Sequence, residues 1–95
     1  MDIGYVWDED KYDRVREKHD VVFAEVIDVF EDERAVYAPD PQGNLDRRMV
    51  VGQTRGVRIL QVIFNDQEDA PLIRIITVFD ADPRREDEYL RRRET

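Results

Sequence analysis

The stretch from Arg47 to Phe79 constrains the fold of this chain more than any other part of it. β-branched and aromatic side chains dominate three short segments within the stretch, and residues typical of turns separate those segments. The pattern predicts three consecutive antiparallel strands, over residues 47–54, 58–64 and 72–79. An antiparallel sheet is therefore expected at the centre of the fold.

Turn chemistry predicts how these strands are joined. Residues 54–57 form a tight hairpin turn in this interpretation, with Gly56 free to adopt a positive φ. The acidic segment 65–71 forms a longer connection, and Pro71 stands at the strand edge, where a missing backbone donor costs least.

The two-residue period of a strand predicts which side chains share a face. One face of the second strand carries Arg58, Leu60, Val62 and Phe64, and one face of the third carries Leu72, Arg74, Ile76 and Val78. A guanidinium among apolar side chains must find an acceptor or reach water, because an unpaired buried charge is very costly. Each arginine is therefore half of a structural ion pair, a side chain that snorkels with its head in water, or part of an anion site, for which its planar, bidentate guanidinium is suited.

Length and composition narrow the class of protein. Ninety-five residues are enough for one small domain, residues 1–95. The chain has no cysteine, so it has no disulfide framework and no thiolate metal site. It also lacks an apolar run long enough to span a membrane and the layout of a signal peptide. We therefore expect a cytoplasmic protein that does not enter a membrane.

The negative charge is concentrated near the N-terminus. Residues 1–33 hold twelve acidic and four basic side chains, which accounts for the whole formal net charge of −8. Such a surface repels polyanions, so any binding of nucleic acid must depend on a local cluster of arginines.

The remaining segments complete an α+β pattern. An edge strand is predicted over residues 3–7, and a further strand over 34–38. Helices are predicted over residues 9–19, 22–30 and 83–93, with Asp8 and Asp82 as the N-caps of the first and last. The order β-α-α-β-β-β-β-α indicates an antiparallel sheet of four to five strands, with two N-terminal helices and one C-terminal helix packed on it.

The order of several short motifs resembles the BrnT-type toxins. Trp7-Asp8 is followed by Lys18-His19-x-Val21-x-Phe23-x-Glu25 and by Val29-Phe30-x-Asp32. Further on come Arg47-x-x-x-Val51-Gly52, Arg58-x-Leu60-x-Val62, Ile73-Arg74-Ile75-Ile76, and finally Glu86 and Tyr89. The resemblance runs from Trp7 to Tyr89, which is nearly the whole chain.

The resemblance implies a RelE-like fold and an RNA-cleaving toxin of a type II toxin–antitoxin pair. It implies a BrnA-like antitoxin as partner, higher-order complexes with that antitoxin, and a reaction without metal or cofactor. In such a reaction the 2′-hydroxyl attacks the adjacent phosphate while side chains transfer protons and arginines hold the growing charge. The catalytic residues implied are Lys18, His19, Glu25, Arg58 and Arg74. The RNA- or phosphate-binding residues implied are Arg47, Arg58, Arg74 and Glu86.

The sequence departs from the family where the last strand ends. The family carries two arginines there, whereas this chain has Phe79 and Asp80. Exchanging two cations for an aromatic ring and a carboxylate weakens a phosphate site, so we expect weak ribonuclease activity.

Two other functions stay open at this stage. One is a catalytically inactive BrnT-fold protein that keeps its partner-binding surface, and the other is an acidic mimic of nucleic acid. Structural roles also compete with catalytic ones. His19 is then a helix C-terminal residue that the dipole stabilises, Glu25 is solvated or paired with an arginine, and Tyr89 is a docking group.

Overall fold

The structure, a computed structural model, describes residues 4–67 and 72–93 of the chain. Its elements in chain order are β1 (Gly4–Trp7), α1 (Glu9–His19), α2 (Phe23–Glu31), β2 (Val36–Pro39), β3 (Arg48–Gln53), β4 (Ile59–Gln67), β5 (Leu72–Asp80) and α3 (Pro83–Arg93). The predicted α+β class and element order are confirmed. The bounds of α1 and α3 also match the prediction, because both helices begin at an aspartate whose carboxylate accepts a backbone N–H.

The five strands form one mixed sheet in the order β1-β5-β4-β3-β2. Strands β2 to β5 are antiparallel neighbours, as predicted, but β1 pairs with β5 in parallel. The expectation of a purely antiparallel sheet is therefore wrong in this detail. Hairpin connections force antiparallel pairing, whereas β1 is far from β5 in the sequence and its direction is set by packing.

Each face of the sheet carries its own apolar core. On one face α1 and α2 cover the first core, in which Leu60 and Val62 pack with Val26 and Val29. On the other face α3 contributes Tyr89, which is 1% exposed, to a second core with Met49, Val51 and Ile63. The sheet is thus buried on both sides. None of the described helices is long and apolar enough to cross a membrane.

A bulge in β5 changes which of its side chains share a face. Ile63 pairs with Thr77 and Phe64 pairs with Ile75, so Ile76 is an extra residue in β5. Val78 lies in the first core, whereas Ile76 packs against the second. The prediction that Ile76 and Val78 share a face is therefore wrong, since an inserted residue breaks the two-residue period.

The two connections within the meander also differ from the prediction. In the hairpin turn Val57, not Gly56, has the positive φ, at 69°. β4 continues through Gln67, and Asn65 and Asp66 pair with β5, so the predicted loop begins too early. The rest of that loop, including Pro71, lies outside the described residues, as does Ile3 of the predicted edge strand.

Candidate functional site

Arg58 lies directly before β4, and its guanidinium group faces the last residue of β5. Its Nε donates to Oδ1 of Asp80 at 2.6 Å, and Nη2 donates to Oδ2 at 3.1 Å. The two parallel hydrogen bonds form the bidentate arrangement that arginine makes with carboxylates and phosphates. Asp80 thus occupies the fork through which Arg58 would bind a phosphate.

Arg58 also donates hydrogen bonds to backbone carbonyls at the C-terminal end of α1. Nη1 donates to the carbonyl of Asp20 at 2.8 Å, and Nη2 also donates to the carbonyl of His19. Asp20 has a left-handed backbone, with φ of 52°, and ends α1 as its C-cap. The cation therefore meets carbonyl oxygens that the helix leaves unpaired, at the negative end of the helix dipole.

Glu25 completes the surroundings of Arg58 from α2. Its Oε2 lies 3.7 Å from Nη1 of Arg58, while its Oε1 accepts the backbone N–H of Val22 at 3.1 Å. Glu25 therefore stabilises the first turn of α2 and also balances the charge of Arg58. The structure contains the ion pair that sequence reasoning proposed as the structural role of Glu25.

The electrostatics of the cluster favour the ion pair between Arg58 and Asp80. Chiefly through their hydrogen bond, Arg58 lowers the pKa of the Asp80 carboxyl and Asp80 raises the pKa of Arg58. His19 adds a smaller charge effect that also lowers the pKa of Asp80. Both partners are thus charged at neutral pH.

His19 lies beside this cluster, at the C-terminal end of α1. The ring is half-buried, and its centroid lies 6.3 Å from that of Phe79 at an interplanar angle of 49°. Lys18 precedes it and is exposed. His19, Glu25 and Arg58 therefore come together at one end of the sheet, with Lys18 at the edge of the group.

The structure places the other candidate residues elsewhere. Arg74 is exposed and stands six residues before Asp80 on β5, about 20 Å away along an extended strand. Arg47 precedes β3, at the opposite end of the β3–β4 ladder from Arg58. Glu86 is exposed in the first turn of α3. Arg58 and Arg74, the two arginines predicted on the strand faces, are therefore too far apart to bind one phosphate together.

A groove that the sequence did not reveal lies on the α3 face of the sheet. It has a volume of about 230 Å³, and its floor includes Gln61, Ile63 and Ile76. We call it the Gln61 groove. Gln61 is only 4% exposed although it alternates with core residues of the opposite face. A polar residue in that position is expected to face water, so no pattern in the sequence predicted that Gln61 is buried.

Potential metal ligands are dispersed in the structure. Within residues 4–67 and 72–93, no group of three or more His, Asp or Glu side chains is arranged to hold a metal ion.

Comparison with known proteins gives a consistent result. A sequence model of the family described as "Ribonuclease toxin, BrnT, of type II toxin-antitoxin system" matches residues 7–85. The chain is also similar to the crystal structure of the Brucella abortus ribonuclease toxin BrnT. The TM-score is 0.68 and the sequences are 25% identical, over 85% of this chain and 99% of that chain. No sequence among the curated proteins matches this chain.

Proposed function

Because the chain belongs to the BrnT family of ribonuclease toxins from type II toxin–antitoxin systems, we propose that it is a metal-independent RNA endonuclease with low activity. A BrnA-like antitoxin neutralises it, and both act in the cytoplasm. The observation that carries this proposal is the position of Arg58, which lies 3.7 Å from the Glu25 carboxylate and donates to the backbone carbonyl of His19, whose ring lies beside Phe79. These are the side-chain types that RNA cleavage without metal requires.

The proposed reaction uses these side chains for proton transfer and charge stabilisation. The 2′-hydroxyl oxygen attacks the adjacent phosphorus, and its proton passes to the imidazole of His19, which acts as the general base. The bond to the 5′ oxygen breaks, and that oxygen takes a proton from Lys18. Arg58 stabilises the charge that develops on the phosphate oxygens. A 2′,3′-cyclic phosphate and a 5′-hydroxyl end are the products.

Arg47 and Arg74 have a different role in this proposal. Since both lie at the end of the sheet opposite to Arg58, they contact phosphates several nucleotides from the cleaved bond instead of the reacting one. Such contacts strengthen binding and increase its salt dependence without adding base specificity. Glu86 on α3 contributes to the same RNA-binding surface through a ribose hydroxyl.

Low activity follows from the position of Asp80. Its carboxylate fills the fork of Arg58 through two hydrogen bonds, and a phosphate must displace it before Arg58 can act. Phe79 adds a further obstacle, because its ring packs beside the proposed base His19. Where the family carries two arginines, this chain thus has an aromatic contact, from Phe79 to His19, and an ion pair, from Asp80 to Arg58.

The test is RNA cleavage by the purified protein in EDTA, comparing wild type with Asp80→Asn. The amide removes the negative charge while keeping the size of the side chain, so cleavage should rise about tenfold as one charge-assisted competitor is lost. His19→Ala, combined with Asp80→Asn, should remove the gain. Asp66→Asn is the matched control, because Asp66 is exposed at the other end of β4. Cleavage that requires a metal, or that survives the loss of His19, contradicts the proposal.

The filled fork of Arg58 also favours a second function, a catalytically inactive BrnT-fold module that only binds its antitoxin. This alternative predicts no cleavage by wild type or by Asp80→Asn, with intact antitoxin binding in both. Cleavage by Asp80→Asn that depends on His19 excludes it.

A further inference from the structure

The Gln61 groove contains a buried acceptor that lacks a donor. Oε1 of Gln61 is inaccessible to solvent and has no hydrogen-bond partner among the described residues. Its Nε2 donates to Sδ of Met49 at 3.0 Å, and a thioether is a weak acceptor. A buried carbonyl oxygen without a donor destabilises the fold. The terminal amide torsion of glutamine has a broad energy minimum. A small rotation of the Gln61 amide therefore brings Oε1 to a ligand donor in the groove.

The charges in the groove favour a cation. Its walls carry the carboxylates of Asp40 and Asp82 and the cation of Arg47. Asp40 accepts hydrogen bonds from Gln42 and Asn44, and these bonds, with the nearby Arg47, lower its pKa and keep it ionised. Asp40 and Asp82 together outnumber Arg47, so the lining carries a formal charge of −1. Oδ1 of Asp82 accepts the backbone N–H of Arg85 as the N-cap of α3, which leaves Oδ2 for a ligand donor. A phosphate group entering the groove would meet that negative charge.

The apolar part of the groove suits a planar cation. Phe79 is half-buried and lines one side, next to the hydroxyl of Thr77. A guanidinium group stacks on an aromatic face and directs several N–H donors outward in its own plane. Gln61, Thr77 and Asp82 offer the acceptors that such donors need.

We infer that the Gln61 groove receives an arginine side chain of the antitoxin, stacked on Phe79 and hydrogen-bonded to Gln61 and Asp82. The inference rests on the proposed function for the existence of that partner. The net charge of −8, which residues 1–33 account for, speeds the encounter with a basic partner, and the carboxylates of the groove itself favour the cation within it. A nucleobase of RNA is the competing occupant, and the experiment separates the two.

The first experiment is an NMR titration of the isotopically labelled full chain with N-acetyl-arginine amide. The side-chain amide of Gln61 and the backbone amides of Thr77 and Phe79 should shift. The isosteric but neutral N-acetyl-citrulline amide should leave them in place. Equal shifts with the citrulline compound, no shift with either compound, or shifts only with adenosine monophosphate would overturn the inference.

Two variants show whether the groove acts through the residues named here. Asp82→Asn keeps a good N-cap for α3, and Gln61→Met replaces the amide, whose oxygen lacks a donor, by an apolar side chain of similar size. Each should bind N-acetyl-arginine amide, and the antitoxin, about tenfold more weakly because a charge-assisted hydrogen bond is lost. Gln61→Met should also melt no lower than wild type, since it removes a buried unpaired oxygen. Unchanged affinity in both variants would contradict the inference.

Ribonuclease activity separates this inference from the proposed function. Cleavage of RNA in EDTA should be the same in wild type and in Gln61→Met, because Gln61 is not among the residues proposed to act on RNA. Binding of the arginine compound without any cleavage would overturn the proposed function and leave the groove assignment standing. Cleavage without binding would do the reverse.

Discussion

The hydroxyl of Tyr89 on α3 donates a hydrogen bond to the Asp32 carboxylate, at 2.5 Å, across 57 positions of sequence. The same carboxylate accepts the backbone N–H groups of Arg34 and Gln53, both at 2.9 Å. Asp32 thus joins the end of α2, the end of β3 and the closing helix. Asp32 follows α2 and Tyr89 lies in α3, so these two residues of the family motifs join segments that are distant in the sequence.

Tyr89→Phe should lower the free energy of unfolding by about 1 to 2 kcal/mol, because the half-buried carboxylate of Asp32 loses one donor while the ring keeps its packing. Urea unfolding monitored by circular dichroism measures the change. Tyr37→Phe is the control, since Tyr37 is 44% exposed, and it should change stability by a few tenths of a kcal/mol. Equal effects of the two changes would show that the hydrogen bond to Asp32 contributes nothing.

Gly52→Ala should destabilise the fold by about 1 to 3 kcal/mol through overpacking. A Cβ at Gly52 would lie 2.9 Å from Cγ1 of Val29 and 3.0 Å from its carbonyl oxygen. α2 can therefore pack on β3 at this distance only if β3 has no side chain there. Gly56→Ala is the matched control, because its Cβ would meet only Thr54 Oγ1, at 3.7 Å. Thermal melts of both variants check the difference, and a Gly52→Ala melt equal to wild type would refute it.

Val57→Gly should stabilise the protein by about 1 kcal/mol, because glycine adopts a left-handed backbone without the steric cost that an L-residue has. Val57 has φ of 69° and is 73% exposed, so its side chain contributes little packing. Val57→Ala should give a smaller gain, since it removes the β-branch but keeps Cβ. Denaturant midpoints at equal m-values provide the comparison. A lower midpoint for Val57→Gly would mean that the valine side chain matters more than the backbone strain.

The ion pair between Arg58 and Asp80 should make stability depend on pH in the acid range. The hydrogen bond from Arg58 lowers the pKa of Asp80 in the folded state. Its contribution is therefore present above the ordinary carboxyl pKa of 3.8, and it is lost as pH falls through the folded-state value. At pH 7 wild type should exceed Asp80→Asn by about 1 kcal/mol or less, since the Asp80 side chain is 62% exposed and water screens the pair.

Urea unfolding at several pH values from neutral down to the acid limit of folding tests this dependence. The gap between wild type and Asp80→Asn should close below the ordinary carboxyl pKa. A gap that is constant across that range would show that the charge of Asp80 does not stabilise the fold.

Local sequence signals determined the helices, the meander and the family of this protein. The starts of α1 and α3 are predictable because the N-caps Asp8 and Asp82 accept backbone N–H groups only three residues away. His19 and Glu25 came from the resemblance, and Arg58 came from the two-residue period of its strand as well. The structure brings these three together. Each of these inferences depends on residue type and short-range spacing, which the sequence displays directly.

Tertiary structure decided what depends on contacts between distant segments. The parallel pairing of β1 with β5, the bulge at Ile76 and the burial of Gln61 arise from packing between elements that the sequence separates. The same holds for Asp80, which the sequence showed only as a missing cation. Its bond to Arg58 requires β4 and β5 to align across 22 positions of sequence. Period and spacing cannot specify that alignment, because its free energy comes from the whole packed sheet.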